Sequence, residues 1–496
     1  MLDPLARLAS RLEEIQDLDV LTGLLAWDQR TIMPPAGSLV RGRHMGLLQR
    51  LAHEKLIDQG IGRLLDELPL DSLDPSSDEA GLVRVARRMY EKAVQVPPEL
   101  TAEMARAAAE AAPVWVEARA ASDFERFLPA LERNVELKRR YVACFESAGE
   151  TYDVLLDDYE PEMRTADVRR IFDEIKPVLA ALAAGQRGRG VDDAFLTGDF
   201  PVEQQRLLSE EIVSLFGLRE GTWRLDPTEH PFQSGAGADD IRITTSYHPE
   251  NLESFFATVH EYGHGLYENQ IPHRFAHLPI GTGASLGLHE SQSRLWENLV
   301  GRSLPFWRFW YPRVQELFPE QLGGVELESF HAAINKVQPS LIRIHADEVT
   351  YGMHVILRFE LEQDMIEGRI ELSDLPQRWN EKMHEYLGVE VPDDARGVLQ
   401  DMHWSGGLLG YFSTYLLGTV MSVQIWDAAA RDLPDLDDRI ERGEFAPLRE
   451  WLGEHVHALG RKFTPQETLE RATGSTIEAG PYLEYLRRKF GAPVPA

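Results

Sequence analysis

Apolar positions recur at spacings of three and four along most of the chain, the period of helices that bury one face. The stretch "SSDEAGLVRVARRMYEKAVQ" opens with Ser76 three residues before Glu79, the pattern of a capping box, and then keeps that period. "TAEMARAAAEAAPVWVEARAASDFERFLPALERNVELKRRYVACF" continues in the same style with a predicted interruption at Pro113, and the last hundred residues read as helical too. The texture changes between about 185 and 248. Gly185, Gly188 and Gly190 in "GQRGRGVDD" predict a loop, and "TWRLD" and "DIRITTSY" are short runs rich in β-branched and aromatic residues, set off by Pro, Gly and Asp. The expected fold is therefore mainly α with a small inserted β-sheet. Candidate site residues fall on both sides of that insert, so the chain reads as one cooperative unit. Residues 1–190 form an N-terminal helical half, 191–250 the β-containing insert, and 251–496 a second helical half.

Composition narrows the possible functions. The chain has 496 residues, 43% of them hydrophobic and 27% charged, as expected of a globular protein with a large core. Its 51 Lys and Arg against 81 Asp and Glu give a net charge of -30, which repels phosphate backbones and anionic lipid and argues against nucleic-acid or membrane binding. Cys144 is the single cysteine, so no intrachain disulfide and no cysteine-based zinc site can form, in keeping with a reducing cytoplasm. The first twenty residues alternate apolar and charged positions and show no apolar segment of a signal peptide. "SGGLLGYFSTYLLGTVMSVQIW", residues 405–426, carries no charge, but its Gly, Ser, Thr and Gln content predicts a buried helix rather than a membrane span.

The chemistry centres on "ATVHEYGHGLYE", residues 257–268. Pro249 occupies the place of a first helical residue, and the pattern runs helically from there to a stop before Pro272. His260 and His264 are four apart and project from one helix face one turn apart, which lets two imidazoles reach a single tetrahedral ion. Glu261 is turned about 100° from His260 and about 60° from His264 on the other side, so it flanks the ion without ligating it. Gly263 and Gly265 weaken the helix and predict close packing by another segment. A control lies at "MHEYLG", where His384 and Glu385 begin the same way but Gly388 stands in place of a second ligand. Catalytic zinc takes three protein ligands and keeps one position open. The next helix, "LGLHESQSRLWENLVG", offers Glu290 and His289, with Glu297 on the same strip two turns on. Glu290 would complete a His2Glu set 26 residues after His264.

Five further motifs follow in order: His230-Pro231-Phe232, "DIRIT" from Asp240 to Thr244, "HESQ" from His289 to Gln292, "IRIHAD" from Ile342 to Asp347, and "GVLQDMHW" from Gly397 to Trp404. With these the chain resembles the carboxypeptidase Taq family of metallocarboxypeptidases, and weaker similarity extends from "LLAWDQRTIMPP" to "YLEYLRRKF". The resemblance implies a mostly helical, elongated fold with a deep active-site groove, a homodimer, and removal of C-terminal amino acids from peptides with broad specificity. It implies His260, His264 and Glu290 as metal ligands, Glu261 as the catalytic carboxylate, and Arg343 as the receiver of the substrate's terminal carboxylate. One position departs from the family: "GYFSTY" has Ser413 where a proline is usual, which bears on the helix geometry near Tyr411 and Tyr415.

Peptide hydrolysis needs an activated water and a stabilised oxyanion. Zinc would acidify its water and polarise the carbonyl, with cobalt or manganese as possible substitutes, and Glu261 would carry the proton to the leaving amine. Tyr411 is the first candidate for oxyanion stabilisation, followed by Tyr415 and His403. A planar guanidinium binds both oxygens of a carboxylate, and Arg343 is expected to do so with Asp347, four residues on along a helix, orienting it. Arg242, paired with Asp240, is the second candidate. His230, held extended by Pro231, is expected to line the groove or close its end. The rival readings are a zinc oligopeptidase or aminopeptidase with the same metal site, and an inactive peptide-binding protein on the same scaffold.

Overall fold

The computed structural model describes residues 3–146, 149–186, 188 and 190–491. The chain divides into two units, each assembled from three separated segments. The first comprises residues 1–94, 191–334 and 422–476, and the second 95–190, 335–421 and 477–496. Neither unit can form from a contiguous length of chain, so each must wait for distant segments to meet.

The first unit begins with a long helix, Pro4–Thr31, whose Leu8, Leu12 and Ile15 lie on one buried strip. Helix Ser38–Leu56 folds back against it. The small sheet consists of β1 (Trp223–Pro227), β2 (Gln233–Gly235) and β3 (Ile241–Thr245), in the order β1-β3-β2. β1 runs parallel to β3, Trp223 beside Ile241, and β2 runs antiparallel to it, Gln233 beside Ile243. β1 and β3 correspond to the two runs legible in the sequence. β2 has only three residues, Gln-Ser-Gly, and nothing in their chemistry marks a strand. Ile241 and Ile243 are buried against helix Glu253–Asn269, which carries His260 and is called here the His260 helix. Phe216 from helix Val202–Phe216 packs among Tyr262, Trp296, Phe306 and Phe445 on the far side.

The second unit is helical among its described residues. Helix Tyr351–Glu367 is buried almost all round and carries His354, Arg358 and Glu362 inside it. Helices Phe124–Val142, Thr165–Gln186 and Leu375–Leu387 pack on it. Glu362 accepts from Tyr152 Oη at 2.5 Å, Trp404 Nε1 at 2.8 Å and the Gly410 amide at 2.9 Å, tying three segments to one carboxylate.

Several local expectations are corrected. Pro113 does not interrupt its helix: Pro98–Ala121 runs through it. The proline sits exposed in an alanine-rich stretch packed on Phe124–Val142, and these neighbours hold the helix despite one missing bond. Ser77 rather than Ser76 caps the helix Asp78–Gln95, accepting from the Ala80 amide, while the Ser76 hydroxyl turns to Asp74. The His260 helix starts at Glu253, not at Pro249, because the carbonyls of Pro249 and Glu250 accept from Phe200 and Gly198 instead. The expected loop at 185–190 includes two positions, 187 and 189, outside the described residues, and Gly185 still belongs to helix Thr165–Gln186. The uncharged run 405–426 is helical only from Ser413, and no described helix is long and apolar enough to cross a membrane. Ser413 is the first residue of that helix, a position proline also suits, so the replacement leaves the helix start intact.

Burial raises the pKa of Glu362 from 4.5 to about 7 even against its three donors. The native state therefore holds a proton that the unfolded chain releases, so this group's contribution to stability is full below pH 4.5 and is lost as pH rises through 7. A Glu362→Gln variant has no such titration, and its amide NH2 faces either Trp404 Nε1–H or the Gly410 N–H, leaving one donor unpaired. It should be less stable than wild type by about 1–3 kcal/mol at pH 5. The gap should narrow toward pH 7.5, as read from urea midpoints at both pH values.

Candidate metal centre

The His260 helix and the helix Leu286–Arg294, called here the Glu290 helix, touch at a glycine. A Cβ on Gly263 would lie 2.4 Å from the Gln292 carbonyl oxygen and 2.6 Å from Ser293 Cα, so only glycine permits this approach. Gly265 makes the corresponding contact with the sheet, where a Cβ would lie 2.8 Å from Ile241 Cγ2. Both glycines thus carry the close packing expected of them. The Glu290 helix is capped by Ser285, whose side chain accepts from the Leu288 amide, and it passes directly into a π-helical turn at Leu295–Val300. Such turns often occur at functional sites because they shift side chains off the α-helical strip.

This approach gathers His260, His264 and Glu290, whose donor atoms lie within 4.8 Å of one another. His260 Nε2 is 3.5 Å and His264 Nε2 3.4 Å from the same oxygen, Glu290 Oε2. The other heteroatoms are occupied. Glu290 Oε1 accepts from Arg294 Nε at 2.7 Å, His260 Nδ1 meets Glu297 Oε2 at 2.9 Å, and His264 Nδ1 meets His289 Nδ1 at 2.6 Å. His289 Nε2 lies 3.0 Å from Glu268 Oε1. One proton arrangement satisfies this last chain: His264 Nδ1–H donates to His289 Nδ1, and His289 Nε2–H donates to Glu268. It leaves His264 Nε2 with a free lone pair toward Glu290, as a metal ligand requires. His289 therefore backs His264 rather than joining the ligand set.

The electrostatics suit a cation. Burial disfavours charge on Glu290, but Arg294 and His260 overcome it and hold the carboxylate well below its usual range. The same balance places Glu297 at about 2. Burial also disfavours charge on His260, yet Glu290 and Glu297 raise it to about 10. His264 falls to about 3, because burial disfavours its charge, His289 and His260 oppose it further, and only Glu290 favours it. The set draws positive charge to the point where three donor atoms converge, which a divalent ion satisfies better than a proton. Glu261, 6% exposed, stands beside it with a pKa raised to about 7, by burial first and by Glu290 against His260. Arg30, at the end of the first helix, pulls that value down.

The remaining sequence candidates occupy two places. Arg242 lies on β3, forked onto Asp240 by two 2.9 Å bonds and stacked on Trp27. His230 is exposed, and its carbonyl accepts from Arg30 at 3.3 Å. Arg343, His403, Tyr411 and Tyr415 come together in the second unit. His403 Nε2 is 3.1 Å from Tyr415 Oη, Tyr411 packs edge-on against Tyr415, and the Arg343 guanidinium lies 4.9 Å above the Tyr415 ring. One pairing is corrected. Arg343 sits in a short 3-10 turn, not a helix, and Asp347 accepts from Gln338, Val349 and Thr350 instead. Asp401 holds Arg343, through Nε at 3.1 Å and Nη2 at 2.8 Å. Sequence reasoning also missed Arg294, although its place four residues after Glu290 was a usable signal.

Two outcomes follow from this geometry. Gly263→Ala should cost about 1–3 kcal/mol by overpacking and weaken metal retention, whereas Gly23→Ala, with open space around it, should do neither. Thermal melts and chelator competition read both effects. Replacing His289 with Asn should lower metal affinity about 10- to 100-fold, the usual cost of losing an outer partner, as measured by competition with a metal indicator.

Comparison with known proteins identifies the family. The family model described as carboxypeptidase Taq (M32) metallopeptidase matches residues 7–490. Thermostable carboxypeptidase 1 of Thermus thermophilus is 43% identical, over 95% of each chain. Carboxypeptidase 1 of Bacillus subtilis is 35% identical, over 97% of this chain and 96% of its own. Among solved structures, the M32 carboxypeptidase of Deinococcus radiodurans superposes with a TM-score of 0.95 at 38% identity, covering 98% of this chain and 99% of the other. Metallocarboxypeptidase 1 of Trypanosoma cruzi gives a TM-score of 0.94 at 33% identity over 99% of both. The chain belongs to the carboxypeptidase Taq (M32) metallopeptidase family.

Proposed function

We propose that this metal-dependent carboxypeptidase releases C-terminal residues from peptides of varied sequence, with His260, His264 and Glu290 as the metal ligands and Glu261 as the proton carrier. The carrying observation is the convergence of two imidazole Nε2 atoms on one oxygen of Glu290, at 3.5 and 3.4 Å. When bound there, zinc would polarise the scissile carbonyl and acidify the attacking water, and cobalt or manganese would fit the same donors. Glu261 takes a proton from that water and returns it to the leaving amine. A pKa near 7 suits both transfers. Tyr411 supplies a hydroxyl to the oxyanion, with Tyr415 and His403 behind it. Arg343 receives the terminal carboxylate, with Arg242 as the second candidate for that role, and His230 lines the groove or closes its end.

We further take the protein to be a cytoplasmic homodimer. A single cysteine, Cys144, suits a reducing compartment. Leu39 and Val40 on helix Ser38–Leu56 and Ile32 in the connection before it are 82%, 55% and 61% exposed, large apolar side chains of the kind a second copy covers.

Peptides ending in a free carboxylate and the same peptides ending in an amide test the reading together. The acids should be hydrolysed and the amides nearly not at all, whereas equal rates would identify an enzyme that ignores the C-terminus. Glu261→Gln should retain its metal and lose about 100-fold or more in kcat. Wild-type turnover in that variant would remove Glu261 from the mechanism.

A further inference from the structure

The second unit buries two guanidiniums around one carboxylate. Asp401 Oδ1 accepts from Arg343 Nε and Nη2, at 3.1 and 2.8 Å, and Asp401 Oδ2 accepts from Arg358 Nε and Nη2, at 2.8 and 2.5 Å. Arg358 completes its shell with the His354 carbonyl at 2.6 Å and Gln400 Oε1 at 2.9 Å, and is fully enclosed. Arg343 keeps a slight opening, its side chain 7% exposed. Its Nη1 donates to Tyr351 Oη at 3.0 Å. A guanidinium has five N–H donors, and these bonds use three of Arg343's. One hydrogen on each terminal nitrogen remains, the pair that forms an end-on fork.

The charges around this group do not balance. Among the described residues, two cations are hydrogen-bonded to one anion. His354 and His403 are both kept neutral by burial, and Tyr351 and Tyr415 are phenols. Glu362, one turn beyond Arg358, feels its charge but bonds to neither guanidinium; it is committed to Tyr152, Trp404 and Gly410, and burial holds its pKa up at about 7. A buried cation without a counter-ion is costly, and a lone Arg343–Asp401 pair would avoid that cost. The enclosed second arginine needs a different explanation.

We propose that Arg358 is a positioning residue for substrate: by sharing Asp401 it leaves Arg343 only half neutralised, so that the peptide's terminal carboxylate enters as the missing anion. This rests on Arg343 being the carboxylate receiver. Arg358 itself never touches substrate. It occupies one oxygen of Asp401, fixes the carboxylate edge-on to Arg343, and keeps the local charge positive. Without it, Asp401 would satisfy Arg343 alone and the incoming carboxylate would meet a neutral pair.

The test compares Arg358→Gln, polar but neutral, with Arg358→Lys, which keeps the charge, on peptide acids and their amides. Arg358→Gln should raise KM for acids at least 10-fold with kcat within about threefold, and should weaken competitive inhibition by an N-acetyl amino acid to the same extent. Arg358→Lys should restore most of both. If wild type cleaves amides as readily as acids, Arg343 is not the receiver and the underlying reading fails. If wild type prefers acids but Arg358→Gln keeps the wild-type KM, the receiver stands and the role of Arg358 is refuted. Should Arg358→Gln not fold, Arg358→Lys decides: a KM within threefold of wild type upholds the charge argument, and a 10-fold rise overturns it.

Discussion

Gly263 has no side chain, and the backbone of Gln292 and Ser293 occupies the space one would need. The candidate metal centre depends on that contact. Packed helices ordinarily lie about 8–10 Å apart, and the missing side chain at Gly263 lets the backbones of this pair meet. At this crossing Glu290 Oε2 lies 3.5 and 3.4 Å from the two Nε2 atoms. The contact is locked from outside by His457, which bonds Gln270 through one ring nitrogen and Gln292 through the other, bridging the ends of both helices. Gly265, two residues further on, repeats the approach against β3, so the His260 helix is fixed on two sides by positions that lack side chains.

Close packing alone would bury charges at a loss. His260, His264, Glu290 and Glu297 each have a polar partner, and those partners are partnered in turn. Arg294 serves Glu290 and Glu297 together, and Arg302 approaches Glu297 from outside at 3.5 Å. The π-helical turn after the Glu290 helix places Glu297 against His260 while Arg294 stays in reach of both carboxylates. On the other histidine the order is imidazole, imidazole, carboxylate, and it ends at Glu268, which is only partly buried. Charge is carried outward in steps until water can solvate it, which fixes the orientation of the donor groups.

What the sequence makes legible follows from how local each cause is. His260, Glu261 and His264 share one helix turn, so helical periodicity alone places them. Gly263 and Gly265 point to close packing because glycine weakens a helix, although the signal is not exclusive: Gly23 also stands mid-helix, in open space. The strands β1 and β3 are visible in their β-branched residues, whereas β2 forms only because β3 offers it an edge. The failures share one cause. Asp347 stands four residues from Arg343 and looks like its partner, but the backbone there turns instead of continuing as a helix. The true partner, Asp401, lies 58 residues away. Ser76 and Ser77 differ by one position, and the nearby Asp74 claims the first. A side chain's partner across a fold is set by topology, which spacing does not encode.

The two units solve opposite electrostatic problems in the same way. In the first, carboxylates and arginine are arranged so that the donor set attracts positive charge, and His260 is driven toward protonation. In the second, two guanidiniums divide one carboxylate and leave positive charge in excess. Neither cluster is at its most stable as it stands. A buried ion pair with matched charges, or an apolar replacement of the same volume, would serve folding better. Residual charge of a defined sign, held in fixed geometry and shielded from water, is useful only if a ligand of the opposite sign completes it. On the proposed reading those ligands are a metal ion and a peptide's terminal carboxylate, and each cluster lacks the charge that one of them would bring.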